Sequence, residues 1–375
     1  MNPDRGSSWR LRAAGSLAWA LWLGGWIGLA SLSQAVSASA CGAFAQMALG
    51  LFALGAIAQS GGRPDWPRAG RRGMSIVAAA ALALAVTGAP GRNDAGGSWL
   101  ILAWLAWAAI VGLASATVRG CRRAAPAAMT SPATPAAAGA VLAWICLGDV
   151  TDLHALTLRL AGGVLVAGGG LAALQPPRAL RAAACLDGLF DCSLPSGSSD
   201  DWRDPQRRPV WLASLVMLPM MCTLPLVLAL CRSGGLSPRW ALGLHLAAMF
   251  VPAWLVQRRG DLVATPAACG LLLALGAAMP WFVSGGAATW GSTLLHGAAW
   301  SLAWTVRIRQ RPVERPRAGS TWTGRALSGL WVLAIGAGLD VFGGPALGGW
   351  QLALGLAGGA AALCAWPPVR RRVAQ

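Results

Sequence analysis

The chain has 375 residues, of which 56% are apolar and 11% charged, with a net charge of +17 and a mean hydropathy of +0.55. Soluble domains carry about 25% charged residues, so this composition excludes a soluble enzyme and a disordered chain. It also excludes a nucleic-acid binder, because the basic residues stand between long apolar runs and not on one soluble face. What remains is a polytopic membrane protein.

A helix needs about 20 apolar residues to cross the hydrocarbon core. In chain order, spans are predicted at 13–32, 41–59, 73–90, 98–117, 133–148 and 154–174. Six more follow at 209–231, 239–256, 262–283, 287–306, 325–342 and 346–366. The expected fold is therefore an all-α polytopic membrane protein with twelve transmembrane helices in two halves. The N-terminal half is 1–174, a cytoplasmic linker is 175–208, and the C-terminal half is 209–375. The linker carries Asp187, Asp191, Asp200, Asp201 and Asp204 and is rich in Ser, Gly and Pro in its second part.

All 30 basic residues are arginine. With the N-terminus inside, all of them except Arg92, Arg159, Arg232 and Arg239 fall in inner segments. That asymmetry is the positive-inside rule, and it places both termini in the cytoplasm of a bacterial inner membrane. The +17 charge then serves topology and contact with anionic lipid. Arg5, Arg10 and Arg12, an apolar run and Ala38-Ser39-Ala40-Cys41 also resemble a cleaved signal or lipoprotein site. The length of the run and the span that follows at once favour an uncleaved first helix.

The nine cysteines include no Cys-x-x-Cys pair, so a zinc knuckle, a thioredoxin-like motif and a disulfide framework are not expected. No Ser/His/Asp order, HExxH or phosphate loop is present. Asp149-x-x-Asp152-x-His154 is a weak metal-ligand spacing, and Arg159 is an alternative partner for its acids. Neither a cofactor nor a metal nor an enzymatic activity is expected.

Two inner segments repeat. Gly61-Gly62-Arg63-Pro64-Asp65-Trp66-Pro67-Arg68-Ala69-Gly70-Arg71-Arg72 follows the second span, and Ala253-Trp254-Leu255-Val256-Gln257-Arg258-Arg259-Gly260 ends the eighth. Both resemble the G-x-L-x-D-R-x-G-R-R loop motif of the major facilitator superfamily. The resemblance implies alternating access between two six-helix halves. It also implies a conformational latch in a tight inner turn, with Asp65, Arg68, Gly70, Arg71 and Arg72 in one copy and Arg258 and Gly260 in the other. The match is not residue for residue. Asp65 lies two positions farther from the arginines than in the family motif, and Ala253 and Gln257 stand where it has Gly and Asp.

The same resemblance implies that the first, fourth, seventh and tenth spans line a central cavity. In the tenth, Thr289, Thr293, His296, Trp300 and Trp304 share one helical face. A polar strip facing hydrocarbon is costly, so this face is expected to meet a cavity or another helix. Trp19, Trp22 and Trp26 make a stripe on the first span, Trp104 and Trp107 on the fourth, and Met217 and Met221 on the seventh. Candidate solute contacts are His296, Trp300, Thr293, Trp304, Trp22, Trp107 and Met221, each with interhelical packing as its alternative. Candidate proton-coupling groups are His296, which titrates near neutrality when unperturbed, and Asp340 at the outer end of the eleventh span. His245 also lies within a span.

A cavity of Trp and Met with few charges suits an apolar or amphiphilic small molecule. The expected function is secondary transport of such a solute by a monomer in the lipid bilayer. The rival is a facilitator-like protein that does not transport and assists assembly or sensing of a membrane complex.

Overall fold

The computed structural model describes residues 3–37, 39–60, 68–87, 98–124, 133–147, 153–174, 238–259, 266–309, 320–341 and 355. Among these residues there are ten helices and no strand. They are α1 (Pro3–Val36), α2 (Ala40–Ser60), α3 (Arg68–Thr87), α4 (Ser98–Ala124) and α5 (Ala133–Leu147). Then come α6 (Leu153–Ala173), α7 (Pro238–Arg258), α8 (Pro266–Phe282), α9 (Gly286–Arg309) and α10 (Ser320–Val341). These fall at ten of the twelve predicted positions. The linker and the span predicted at 209–231 lie outside the described residues, as does 346–366 apart from Gly355.

The boundaries differ from expectation at two places. α1 has 34 residues, roughly 51 Å at 1.5 Å per residue, against a hydrocarbon core of about 30 Å. α1 is thus longer than a single crossing needs, and Arg10 and Arg12 are exposed near its start. The second difference corrects the motif. Arg68, Gly70, Arg71 and Arg72 were expected in a tight turn, but they form the first turns of α3. Arg and Ala favour helix, one glycine costs about 1 kcal/mol, and the helix starts as soon as Pro67 is passed. α1, α7 and α8 each open on a proline, which needs no hydrogen-bond partner in a first turn.

Three helices are long and apolar enough to cross a membrane, over Trp9–Ser33, Ile101–Val118 and Ala155–Ala173. Shorter apolar stretches occupy six others, among them Gly243–Val256 and Ala267–Phe282. Ile101, Leu102 and Leu105 on α4, Val141, Leu142 and Ile145 on α5, and Leu271 and Leu275 on α8 are exposed. A bundle that is apolar both inside and outside is consistent with a helical membrane protein.

α1 is the axis of the front half and packs on α2, α4, α5 and α6. α3 packs on α4 and α6, and α2 on α4. In the back half α9 packs on both α7 and α8. The halves meet where α2 packs on α10 and α5 on α7. Close helix approach uses small residues, as is usual where lipid provides no hydrophobic drive for association. A methyl on Gly73 would stand 2.7 Å from the backbone nitrogen of Ala172, and one on Gly139 would stand 2.7 Å from the Ser16 carbonyl oxygen. The α3–α6 and α1–α5 crossings therefore require glycine at these two positions.

Candidate functional site

The two tryptophan stripes meet. Trp19 of α1 makes edge contacts with Phe250 of α7 and Trp304 of α9, each at 6.1 Å between ring centres. Phe250 also meets Trp300 at 5.5 Å and Trp304 at 6.3 Å, and Trp300 stacks on Trp304 at 5.4 Å. Trp22 continues the line from Trp19, and Trp26 from Trp22. Edge-to-face pairs of this kind each add about 0.5–1.5 kcal/mol beyond area burial. Six aromatic rings from three helices thus form one junction between the front and back halves.

The candidate solute contacts Trp22, Trp300 and Trp304 are brought together by this junction, and all three are buried. Trp107 is buried elsewhere, with its ring against Gly28 of α1. Met221 lies outside the described residues. The indole N–H groups of Trp26, Trp104, Trp107, Trp290, Trp304 and Trp331 have no hydrogen-bond acceptor among the described residues. A buried donor left unmade costs about 1–3 kcal/mol.

The polar strip of α9 is buried as the periodicity requires: Thr289, Thr293 and His296 are each at most 5% exposed. It faces α7 and α8. The Thr293 hydroxyl donates to Thr289 within its own helix at 2.7 Å, so its proton is not offered to a neighbour. Its carbonyl instead accepts from Nδ1 of His245 on α7 at 2.9 Å. A carbonyl cannot donate, so Nδ1 carries the proton and Nε2 of neutral His245 is left as an acceptor. That buried Nε2 has no hydrogen-bond partner among the described residues. The rings of His245 and His296 lie parallel within 5°, with centres 6.1 Å apart.

Two more bonds join these helices. Pro252 interrupts α7, and the next N–H, of Ala253, donates to the hydroxyl oxygen of Ser301 at 2.8 Å. The Cys269 thiol of α8 donates to the carbonyl of Ala299 at 3.2 Å. Sequence reasoning placed His245 within a span but did not pair it with His296. Two of only three histidines falling within apolar spans was the available signal. Phe250 and Ser301 carried none, because an apolar ring and a small hydroxyl are ordinary in any membrane helix.

The latch residues divide. Asp65 and Gly260 lie outside the described residues, and of Arg68, Gly70 and Arg71 only the helical backbone is described. Arg72 is buried and donates from Nη1 to the carbonyl of Ala116 on α4 at 3.1 Å. Near it, beyond the apolar stretch of α4, burial pushes the Cys121 thiol well above its ordinary range, with the Arg72 charge acting the other way. Arg258 is exposed, and its guanidinium sits 4.3 Å from the centre of the Trp254 ring on its own helix. That is a surface cation–π contact, worth about 0.5–1 kcal/mol.

Asp340 is exposed at the last turn of α10. Its Oδ2 accepts the backbone N–H of Cys41 in the first turn of α2 at 2.8 Å. A carboxylate there satisfies one of the orphan donors of a helix start and complements its dipole. The cap is supplied by the other half of the molecule. Among the described residues, no group of three or more His, Cys, Asp or Glu is placed to hold a metal. Asp149 and Asp152 lie outside the described residues, and nothing is described of the His154 side chain.

The chain matches no known protein family, and no characterised protein is similar to it in sequence.

Proposed function

We propose that the chain is a secondary transporter of the major facilitator type. It moves a small apolar or amphiphilic solute across a membrane by alternating access between two six-helix halves. The observation that carries this is the pattern of helix contacts. The repeated motif relates α2 to α7, and in chain order α3 to α8, α4 to α9 and α5 to α10. Under that exchange the α2–α10 contact becomes the α7–α5 contact, so these two contacts between halves are each other's mates. The α2–α4 contact likewise becomes α7–α9, and α3–α4 becomes α8–α9. A duplicated bundle with a two-fold axis between its halves has this property, and such a bundle can rock about the axis.

The aromatic junction supports the solute class. Flat apolar rings favour an apolar or aromatic solute, and unmade indole donors favour one that also carries hydrogen-bond acceptors. The Asp340–Cys41 bond and the Trp144–Trp240 contact, with ring centres 6.1 Å apart, lie at the same end of the bundle on exchanged helix pairs. In the expected topology that end is the outer one, and these contacts hold it closed.

The test uses Cys41 as it stands. With Asp340→Cys, oxidation in liposomes is expected to join the two thiols. It should stop uptake of fluorescent aromatic dyes, and reductant should restore it. Dye uptake that continues at full rate with the cross-link complete would rule out alternating access through this end.

A further inference from the structure

We propose that His245 is a proton-operated catch between α7 and α9: a proton taken up at its Nε2 releases the closed seam around the Pro252 break. The catch stands on the packing of these two helices and does not require the transport proposal.

The seam is closed by shape and by hydrogen bonds. A methyl on Gly297 of α9 would stand 3.0 Å from the His245 carbonyl oxygen and 3.1 Å from Cβ of Ala248, so α7 rests directly on this glycine. One turn before Gly297, the Thr293 carbonyl accepts from Nδ1 of His245 at 2.9 Å. One turn after it, the Ser301 hydroxyl oxygen accepts from the Ala253 N–H at 2.8 Å. Between these two bonds α7 has a weak point. Pro252 has no N–H to give to the Ala248 carbonyl, so the helix has a place to bend.

The neutral ring suits the closed seam, and a charged ring does not. His245 is 1% exposed, and its Nε2 has no hydrogen-bond partner among the described residues. A proton there turns an acceptor into a donor with nothing to accept it, and puts a full charge into apolar surroundings. The Thr293 bond strengthens when the ring is charged, but one carbonyl does not replace the hydration of an ion.

The neighbouring helices supply no counter-charge. α7 packs on α9 and α5, and α9 also packs on α8. None of these four helices contains Asp or Glu. Their charged residues are Arg239 and Arg258 on α7 and Arg307 and Arg309 on α9, all positive. Their other titratable groups are Cys146 on α5, Cys269 on α8, whose thiol donates to the Ala299 carbonyl, and His296 on α9. The His296 ring lies parallel to that of His245, with centres 6.1 Å apart, and an imidazole is never an anion here.

The proton therefore favours the parted seam, where Nε2 meets water. Well above about pH 6.5 both forms are neutral, and closure does not depend on pH. Below it the parted form is protonated and the closed form is not, so closure weakens toward about tenfold per pH unit.

The experiment is amide hydrogen exchange of the purified full-length protein in detergent, read by mass spectrometry and corrected for the intrinsic pH dependence of exchange. Protection of 245–256 is expected to fall by about tenfold between pH 7.5 and pH 5.5, most of it in the lower half of that range. Ile101–Val118 of α4 holds no titratable side chain and should not change. His245→Asn keeps a donor near the Nδ1 position and cannot take up charge, so its protection should be flat. His296→Asn should keep the wild-type fall. Flat protection of 245–256 in the wild type, an equal loss in Ile101–Val118, or an undiminished fall in a folded His245→Asn protein would each overturn the catch. The wild-type profile decides even if a variant fails to fold. Dye uptake, measured separately, reports on the transport proposal alone.

Discussion

The α3–α6 and α7–α9 crossings both rest on a glycine, Gly73 and Gly297, but the second adds side-chain hydrogen bonds between its helices. In the first, Gly73 and Gly168 let two backbones nearly touch, and a methyl on Gly73 would come within 3.0 Å of both the Ala172 backbone and the Gly168 carbonyl. In the second, the helices are joined by His245 to Thr293 and by Ala253 to Ser301. A glycine seam fixes the approach of two backbones by shape. A polar seam holds donors and acceptors that a ligand or a proton can compete for. The difference between these two crossings is one of chemistry: the first is defined by backbone contact at Gly73, the second also by donors and acceptors from both helices.

The comparison is broken most severely at Gly73. Gly73→Val forces a branched side chain into the Ala172 backbone, and overpacking of that kind costs about 1–3 kcal/mol or more. The detergent melting temperature should drop sharply. Gly169→Val, where nothing stands within 4 Å of an added methyl, should leave it unchanged. Equal behaviour of the two variants would contradict the close α3–α6 crossing.

A smaller effect is expected from the polar seam. Ser301→Ala removes the side-chain acceptor of the Ala253 N–H beside Pro252, a hydrogen bond worth about 0.5–1.5 kcal/mol. Thr at this position should restore the melting temperature, because its hydroxyl oxygen can still accept. Failure of that rescue would mean that Ser301 acts by size alone.

Smaller again is the cap between halves. Asp340→Ala removes the acceptor for the Cys41 N–H at an exposed helix start, at a cost of about 0.5 kcal/mol. The sharper readout is chemical: Cys41 should react faster with a membrane-impermeant maleimide once its helix start is released. An unchanged rate would show that the contact does not hold the two halves together.

The smallest response is expected at Cys121. Burial raises its thiol well above the ordinary range, so it stays protonated through pH 9, and the thiolate is the reactive form. Maleimide labelling of Cys121 in the folded protein should stay slow across pH 7–9 and become fast on denaturation. Quick labelling at pH 8 would place it outside the core.

The legible part of this protein was its spacing. Runs of apolar residues about 20 long, separated by arginine, located helices at ten predicted positions. The 3.6-residue period put Thr289, Thr293, His296, Trp300 and Trp304 on one face, and all five are buried. Both results need only neighbours along the chain. The start of α3 was placed too late: Arg68–Arg72 were expected in a turn but are helical, because Arg and Ala favour helix once Pro67 is passed.

What only the tertiary structure decided are the partnerships across the bundle. Trp19 meets Trp304, His245 meets His296, and Asp340 caps a helix that begins 299 residues earlier in the chain. Periodicity fixes which face a side chain takes, but in lipid nearly every face is apolar. The choice of neighbour then falls to where a glycine allows close approach and where a buried polar atom finds its partner, and both depend on residues far apart in the chain.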